Sequence, residues 1–511
     1  MNAPGTLDRL DPDHLPEDVE DPTMRQLDNT TVPRTTRPIT VLQLGGGNFL
    51  RGFVDWMIHV ANEAGVMDAG VAVVHATDRP DAAFDLLRAQ DGLFHVTLEG
   101  VRDGAPVREI TRVECIQEVV SAHDDFDRYR ELYLGDDLRV LVSNTTEAGI
   151  VWVDDDDLRA RPPVSFPMKV TALLHDRFEH FGGDPDKGLA IVPCELIEDN
   201  GSTLRSYVLR HAAAAGLSDE FQTWVRECCT FSDTLVDRIV PGYPRDDVAR
   251  IQAQTGFEDH VVVRGEYFHL WAIGGDERVR ELLPLDRAGL DVRFMPDIRP
   301  FRAQKVRVLN GAHTALSALA LQLGHESVLE AFGDPELRSY VEQLVADEVL
   351  PTVDGDPAAL RAFAAGILER FTNPYLHHRV ADIALNAVSK WRTRNLPVYV
   401  DRVRGGEQAP LTVLSLAAVL LLQSGTVAEG YTPVDDPAAV ALLAGGPGTC
   451  EAGTTAWVAR AVHDLDLASG LDAAGADELV ARTAAMVDAL RVDGPRATLG
   501  TLLAGVGATA A

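Results

Sequence analysis

The sequence predicts an α/β fold followed by an all-α part: an N-terminal Rossmann-like, doubly wound sheet and a mainly helical C-terminal domain. Short apolar runs alternate with helical stretches up to about residue 300, and long alanine- and leucine-rich segments follow. Strands that alternate with helices form mainly parallel sheets covered on both faces. Because 511 residues exceed the usual size of one core, the two patterns are assigned to separate domains.

The first elements of the predicted sheet lie just after Pro38. The stretch ITVLQLGGGNFLRGFVDWMIHVANEAG is typical of a buried strand, a glycine-rich turn and a helix with apolar residues three to four positions apart. This is half of a βαβ unit. Further buried strands are predicted at residues 71–76, 138–143 and 189–193.

The C-terminal domain, residues 296–511, is predicted to be helical. Residues 311–323, 337–349 and 411–422 have the composition and periodicity of helices. The segment 425–453 contains GGPG and DDP, so it is expected to form a loop or an insertion between helices.

Composition excludes several classes of protein. The formal charge of -32 leaves no basic face for nucleic acid, and no apolar run is long enough for a membrane span. Residues 1–36 are acidic and contain prolines, which predicts a disordered extension before a nucleotide-binding domain at 37–295. They lack the pattern of a secretory signal, and the five cysteines form no CxxC pair. We expect a cytoplasmic protein without a metal site, and we leave the oligomeric state open.

The glycines Gly45, Gly46 and Gly47 stand where a dinucleotide pyrophosphate would bind, between the first strand and the first helix. The alternative is a tight turn, because Leu50 occupies the third position of GxGxxG. Asp78 follows the second predicted strand, where an acid binds the adenosine ribose and disfavours the extra phosphate of NADP. NAD is therefore the expected cofactor, although Asp78 also fits a helix N-cap or a turn and Arg79 would suit NADP.

Lys305, Asn310 and His313 lie within nine residues at the start of the helical domain. At about 100° per residue of a helix, their side chains fall within roughly 140° of the circumference. Alcohol oxidation by a nicotinamide needs a proton acceptor and a donor to the substrate oxygen, for which Lys305 and Asn310 are candidates. His313 would orient the lysine or bind a hydroxyl. Taken singly, the three also fit a surface charge, a helix cap and a core histidine.

The lysine is more informative here than in most chains. Of 46 basic residues only four are lysines (Lys169, Lys187, Lys305 and Lys390), which leaves 42 arginines. The chain thus uses arginine wherever a plain cation is sufficient, whereas lysine can give up its proton.

Several motifs together resemble the polyol-specific long-chain dehydrogenases, the family of mannitol dehydrogenase. They are GGGNFLRG, SNTTEAGI at 143–150 and the run from Lys305 to His313, and the resemblance covers about residues 38–425. The stretches PPVSFPMKVTALL, PCELIEDNG and VLNGAHTAL are most similar to members that act on hexuronates. The resemblance implies reversible, metal-independent, NADH-dependent reduction of tagaturonate to altronate. Fructuronate reduction, a mannitol-type polyol dehydrogenase and a non-catalytic nucleotide-binding protein are the alternatives.

The resemblance also assigns residues. Lys305 becomes the general acid and base, with Asn310 and His313 beside the substrate. Leu196 stands where mannitol dehydrogenases carry an asparagine that holds the substrate oxygen, which leaves a second donor unassigned. The cofactor residues are predicted to be Val41, Leu42, Gln43, Leu44, Gly45, Gly46, Gly47, Asn48, Phe49, Leu50, Arg51, Gly52, Asp78, Asn144 and Thr145.

The substrate residues are harder to predict. Asp237 and Arg238 resemble a segment of the family's active-site cleft, with a structural ion pair as the alternative. A cluster of cations further along the chain would suit a uronate carboxylate, because arginine binds carboxylates with two hydrogen bonds. We predict His377, Arg379 and Lys390 as substrate residues, from a group that also contains Arg370, His378 and Arg392.

Overall fold

A computed structural model describes residues 24–145, 149–275 and 277–509 of the chain. The described chain divides into two compact units. The first holds residues up to Gly100 together with Val107–Ile298, and the second holds Val101–Pro106 and the chain from Arg299 onward. The division after Ile298 lies close to the boundary expected at residue 295, but the assignment of Val101–Pro106 to the second unit was not predicted.

A six-stranded parallel sheet organises the first unit. The strands in chain order are β1 (Arg25–Gln26), β2 (Ile39–Leu44), β3 (Gly70–His75), β4 (Phe94–Arg102), β5 (Ala105–Val113), β6 (Ile116–Ser121), β7 (Val140–Ser143), β8 (Ala190–Pro193), β9 (Thr230–Phe231), β10 (Thr234–Asp237), β11 (Phe257–Glu258), β12 (Val263–Glu266), β13 (Leu270–Gly274) and β14 (Val292–Met295). The sheet has the order β6-β3-β2-β7-β8-β9, which is the doubly wound order of a Rossmann fold. The predicted fold class is confirmed.

Three smaller sheets were not predicted. They pair β1 with β11, β13 with β10 and β14, and β4 with β12 and β5. Strands such as β5, β10 and β14 are short or only half-buried, so they lack the continuous apolar runs by which the parallel strands could be recognised. The buried strands β4 and β13 were not predicted either.

Helices cover both faces of the parallel sheet. They are α1 (Asn48–Leu50), α2 (Trp56–Glu63), α3 (Ala82–Ala89), α4 (Phe126–Tyr133), α5 (Phe166–His180), α6 (Asn200–Ala214), α7 (Asp219–Cys228), α8 (Val248–Thr255) and α9 (Glu277–Leu282). In β2, Val41 packs into one hydrophobic cluster, whereas Leu42 and Leu44 pack into another. Because successive side chains of a strand point to opposite faces, these two clusters are the two sides of the sheet.

The second unit is helical. Its helices are α10 (Arg299–Lys305), α11 (Ala312–Gln322), α12 (Val328–Gly333), α13 (Pro335–Gln343), α14 (Pro357–Arg370), α15 (Val380–Ile383), α16 (Ala387–Arg394), α17 (Leu396–Arg404), α18 (Pro410–Gln423), α19 (Pro437–Leu443), α20 (Gly453–Asp464), α21 (Ala473–Val492) and α22 (Gly494–Thr509). Helix α18 is buried from Leu411 to Gln423, so it forms the centre of this unit. The expectation of a loop at 425–453 is wrong in part, because α19 lies within that segment.

Three segments of π-helix interrupt these helices. Arg51–Asp55 joins α1 to α2, Val306–Gly311 joins α10 to α11, and Leu344–Val349 continues α13. Such segments are rare and occur often at functional sites. The first two coincide with the predicted cofactor and catalytic motifs.

The ordered chain begins earlier than residue 37. Residues 1–23 lie outside the described residues, but β1 pairs in parallel with β11. Leu27 and Val32 are buried with Leu93 and Phe257 in a small hydrophobic cluster. The expectation of a disordered extension is therefore wrong for residues 24–36. No helix of the described chain is long and apolar enough to cross a membrane.

Candidate active site

The glycine-rich loop lies at the carboxyl end of β2, next to β7, where the order of the parallel sheet reverses. Gly45 has φ of 112°, a backbone conformation that favours glycine. Gly47 precedes α1 without any side-chain cap, and a Cβ at Gly47 would meet no atom within 4 Å. The first N–H groups of the helix are thus left for an anionic group to approach.

Only part of the predicted cofactor loop is accessible. Residues 45–49 are half-buried or exposed, whereas Val41, Leu42, Gln43 and Leu44 in β2 are buried, as are Leu50, Arg51 and Gly52. The buried residues on either side support the loop from the interior of the protein. Residues 45–49 are those that a dinucleotide can contact.

Arg51 is held by hydrogen bonds to other parts of the protein. Its Nε donates to Gly46 O at 3.0 Å and its Nη2 to Asn48 Oδ1 at 2.7 Å, and its Nη1 donates to Val261 O. Burial lowers the pKa of Arg51 to about 10, so the guanidinium is still charged at neutral pH. This arginine holds the loop in place through backbone oxygens.

Asn144 and Thr145 follow β7 and are tied to the chain after β8. Asn144 Nδ2 donates to Cys194 O at 2.8 Å, and Thr145 donates to Glu195 Oε1 from its backbone N at 2.9 Å and its Oγ1 at 3.1 Å. Ser143 Oγ donates to the other carboxylate oxygen at 3.2 Å. Burial raises the pKa of Glu195, and these hydrogen bonds oppose that shift. Glu195 therefore organises the second loop of the sheet's crevice.

Asp78 is exposed in the loop after β3. The N-cap of α3 is Asp81, whose carboxylate accepts from the backbone N of Ala83 and Phe84. The alternative of Asp78 as a helix N-cap is therefore removed. Two roles remain open for Asp78: it is either a turn residue or a ligand of the ribose. Lys169 in α5 is close enough for the charge of Asp78 to act on its pKa.

In the second unit, Lys305 ends α10 and the π segment Val306–Gly311 separates it from His313. A π-helix bonds residues five positions apart, so it stacks Lys305 and Asn310 more closely on one side than α geometry would. Asn310 Oδ1 is buried without a hydrogen-bond partner. Buried polar atoms of this kind are costly unless a ligand or water satisfies them.

His313 lies among cations. Its ring stacks on Phe371 at 4.2 Å between ring centroids and meets the edge of His378 at 5.2 Å. Burial lowers its pKa well below the ordinary value, and the charges of His378, Arg370, Arg394 and Lys305 lower the pKa further. His313 is therefore neutral at physiological pH. The neutral ring can donate one hydrogen bond and accept another, but it carries no charge.

The structure does not bring all predicted substrate residues to this cluster. His377 and Arg379 are exposed, and it is the intervening His378 that contacts His313. Lys390 is half-buried with its Nζ donating to Ile383 O at 2.8 Å. Sequence spacing could not distinguish these neighbours, because they lie in a turn between α14 and α15 without helical or strand periodicity.

Asp237 and Arg238 belong to the first unit. Asp237 ends β10 and is half-buried. Arg238 is 5% exposed, and it donates to Gly52 O at 2.7 Å and to Phe268 O at 3.1 Å. Its guanidinium also lies 4.2 Å from the centroid of the Trp56 ring. Burial lowers its pKa to about 9. These contacts favour a structural role for Arg238, which is carried by backbone oxygens and an aromatic ring and not by the expected ion pair.

Two residues with clear positions were not predicted, Glu195 and Arg394. Glu195 immediately precedes Leu196, the position at which the sequence departs from the mannitol dehydrogenase motif. Arg394 ends α16, and its Nη1 donates to Thr314 Oγ1 at 3.1 Å and to Asn310 O at 3.4 Å. No local motif marks either residue. Within the described residues no group of His, Cys, Asp and Glu side chains could hold a metal ion.

Known proteins match the chain in both units. Residues 39–287 match the mannitol dehydrogenase Rossmann domain, and residues 297–490 match the mannitol dehydrogenase C-terminal domain. The altronate oxidoreductase of Klebsiella pneumoniae (strain 342) is 41% identical over 419 residues, which are 81% of this chain and 86% of that protein. The altronate oxidoreductase of Bacillus subtilis (strain 168) is 41% identical over 405 residues, 79% of this chain and 83% of that protein.

Two solved structures have folds similar to that of this chain. A D-sorbitol dehydrogenase in substrate-free form has a TM-score of 0.73 at 20% identity and covers 91% of this chain and 95% of its own. The mannitol 2-dehydrogenase of Pseudomonas fluorescens, in a ternary complex with NAD and D-mannitol, has a TM-score of 0.64 at 22% identity and covers 91% of this chain and 94% of its own. The two domain matches together cover most of the sequence. The chain therefore belongs to the mannitol dehydrogenase family of oxidoreductases.

Proposed function

We propose that this protein catalyses the reversible NADH-dependent reduction of tagaturonate to altronate. The observation that carries the proposal is the cluster around His313, in which Lys305, Arg370 and Arg394 all act on one neutral imidazole. In a chain with a net charge of -32, a group of three cations around one site suits an acidic sugar. The altronate oxidoreductases of two bacteria, each 41% identical to this chain, support the same substrate.

The residues of the first unit fit a dinucleotide. The uncapped N–H groups after Gly47 would hold the pyrophosphate, and Asp78 would bind the adenosine ribose hydroxyls. Asn144 and Thr145, held by Cys194 O and Glu195, would line the nicotinamide side of the crevice. When bound, the cofactor supplies or accepts the hydride. Asp78 favours NAD over NADP, because a carboxylate repels the 2′-phosphate.

The side chains of the second unit handle the proton. In reduction, the Lys305 ammonium protonates the oxygen that develops negative charge, and in oxidation the neutral amine accepts the hydroxyl proton. Asn310 would donate from Nδ2 to that oxygen, and its Oδ1, which has no protein partner, would accept a hydrogen bond from a neighbouring hydroxyl. Neutral His313 binds a hydroxyl and does not compete for the proton.

A substrate panel tests the proposal. Purified protein is mixed with NADH and with tagaturonate, fructuronate or fructose in separate reactions, and NADH oxidation is followed by absorbance. We expect tagaturonate to give the highest kcat/KM. A faster reaction with fructuronate would reassign the hexuronate, and a faster reaction with fructose would exclude a uronate as the principal substrate. NADPH in place of NADH tests the role of Asp78.

We also propose a cytoplasmic location. All five cysteines are free in the structure, as expected of a protein in a reducing compartment. The reaction draws on the NADH pool of that compartment. Fractionation of cells that express the protein would check this, and recovery outside the cytoplasmic fraction would contradict it.

A further inference from the structure

We infer that Arg394 binds the carboxylate of the sugar acid and so selects uronates over uncharged polyols. This inference rests on the proposed function, and it names a residue of that same site that no sequence motif indicated. The observation behind it is a half-buried guanidinium whose hydrogen-bonding capacity the protein uses only in part.

The position of Arg394 connects it to the catalytic helix. Its Nη1 donates to Thr314 Oγ1 at 3.1 Å and to Asn310 O at 3.4 Å. Asn395, the next residue, donates from Nδ2 to Gly311 O at 3.2 Å. The end of α16 is thus fixed against the π segment and the first turn of α11. A ligand on Arg394 would lie beside Asn310 and His313.

The unused donors form the part of the fork that suits a carboxylate. A guanidinium has five N–H groups, and those of Nε and Nη2 point along one edge. Within the described residues neither of these Arg394 atoms has a hydrogen-bond partner, and neither is sealed from solvent. Two parallel hydrogen bonds from this edge match the two oxygens of a carboxylate.

Arg394 has no acidic partner among the described residues, unlike two other half-buried arginines of the chain. Arg307 pairs with Asp401 at 2.8 Å, and Arg108 pairs with Glu99 at 3.0 Å. Arg394 forms no such ion pair among the described residues, and burial alone lowers its pKa. A desolvated cation without a counter-ion is costly. A bound carboxylate would supply the missing charge.

Neighbouring cations are less suited to this role. Lys390 uses its ammonium on Ile383 O, and a lysine offers no planar pair of donors. Arg392 and Arg379 are exposed. Arg370 acts on the pKa of His313 through its charge, and we assign this electrostatic role to it.

Arg394→Met provides the test, with Arg392→Met on the same helix as the matched control. Binding of altronate and of its uncharged amide is measured by calorimetry on each purified protein saturated with NADH, and kcat/KM is measured with tagaturonate. We expect Arg394→Met to weaken altronate binding about 10- to 100-fold, the range for hydrogen bonds to charged groups. Binding of the amide should change less than threefold, roughly within the context-dependence of a single contact. Arg394→Lys should recover part of the loss, and Arg392→Met should resemble the wild type.

Each other outcome has a definite meaning. Equal weakening of altronate and amide would overturn the inference in favour of a structural role, and unchanged altronate binding would overturn it outright. If Arg394→Met does not fold, as judged by circular dichroism, Arg394→Lys and Arg394→Gln give the same comparison of the two ligands. A wild type that neither binds altronate nor reduces tagaturonate would instead refute the proposed function.

Discussion

The helix after the glycine-rich loop and the helix that carries Lys305 contain the same irregularity and use it differently. Each has a π segment, Arg51–Asp55 in one and Val306–Gly311 in the other. In the first helix every residue of the segment is buried, and Arg51 donates to backbone oxygens. In both segments one side-chain oxygen is buried without a partner, Asp55 Oδ1 in the first and Asn310 Oδ1 in the second. Only the second is followed by a residue, His313, on which the charges of Lys305, Arg370 and Arg394 act.

The difference bears on what separates a scaffold segment from the candidate reactive segment in this molecule. Secondary structure alone does not separate them, because both segments depart from α geometry in the same way. An unpartnered buried polar atom does not separate them either, because Asp55 Oδ1 and Asn310 Oδ1 both lack a partner. The charged surroundings do: Arg51 is buried and donates to protein oxygens, whereas the charges of Lys305, Arg370 and Arg394 act on the ring of His313. Charged side chains of the first π segment should therefore act on stability and loop geometry. Those beside the second π segment should act on chemistry.

The largest expected effect is on Lys305. Lys305→Met should lower kcat in both directions by about 10²- to 10⁴-fold, the usual contribution of a general acid or base. Binding of NADH should be unchanged, because the cofactor residues lie in the other unit. Steady-state kinetics and fluorescence titration with NADH measure the two quantities.

Lys187→Met is the control for removing a lysine. Lys187 pairs with Asp136 at 2.6 Å in the first unit, away from either motif, so its loss should leave kcat unchanged. If Lys305→Met keeps wild-type turnover, the proton carrier is another group and the contrast between the two helices fails.

The elements of the fold that have a clear hydrophobic periodicity could be predicted from the sequence. The parallel strands are continuous apolar runs because both of their faces are buried, and Leu411 to Gln423 of α18 is apolar for the same reason. Short half-buried strands such as β10 and β14 have no such signal. The π segments were also missed, since no residue pattern marks the change from α to π hydrogen bonding.

The candidate site could be predicted where its residues are close in sequence. Lys305, Asn310 and His313 were candidates because they lie within nine residues at the start of the helical unit. Arg394 reaches Thr314 across 80 positions, and Glu195 reaches Thr145 across 50. Such pairs are created by tertiary packing, and a single sequence contains no record of them. Composition also favoured Lys305 as a candidate, because lysine is rare in this chain.

Asp55 tests whether a buried charge in the first π segment matters only for stability. Burial raises its pKa to about 7, above the ordinary value of 3.8, although Gln43 donates to its Oδ2 at 3.1 Å. The folded state then holds more protons than the unfolded state between these values, so its stability falls as the pH rises from about 4 to 7. Asp55→Asn removes this titration. We expect the variant to be more stable than the wild type at pH 8, by up to roughly 4 kcal/mol, because each of the about three pKa units corresponds to about 1.4 kcal/mol.

Urea denaturation of both proteins at pH 5, 6, 7 and 8 measures this difference. The advantage of Asp55→Asn should grow through the window and level off above it. A difference that does not vary with pH would mean that Asp55 does not titrate in the window. A large fall in kcat with unchanged stability would show that the first segment also takes part in chemistry, contrary to the contrast drawn above.

Glu195 gives the smallest and most selective effect. Its carboxylate accepts hydrogen bonds from Thr145 N, Thr145 Oγ1 and Ser143 Oγ, so Glu195→Ala leaves the loop after β7 without its tether. We expect KM for NADH to rise about tenfold, a loss of about 1.4 kcal/mol, while kcat changes little. Glu195→Gln retains an acceptor for Thr145 and a donor for Ser143, so it should behave nearly as the wild type. If both variants instead lose kcat equally with KM unchanged, Glu195 belongs to the reacting groups and the first unit contributes more than a scaffold.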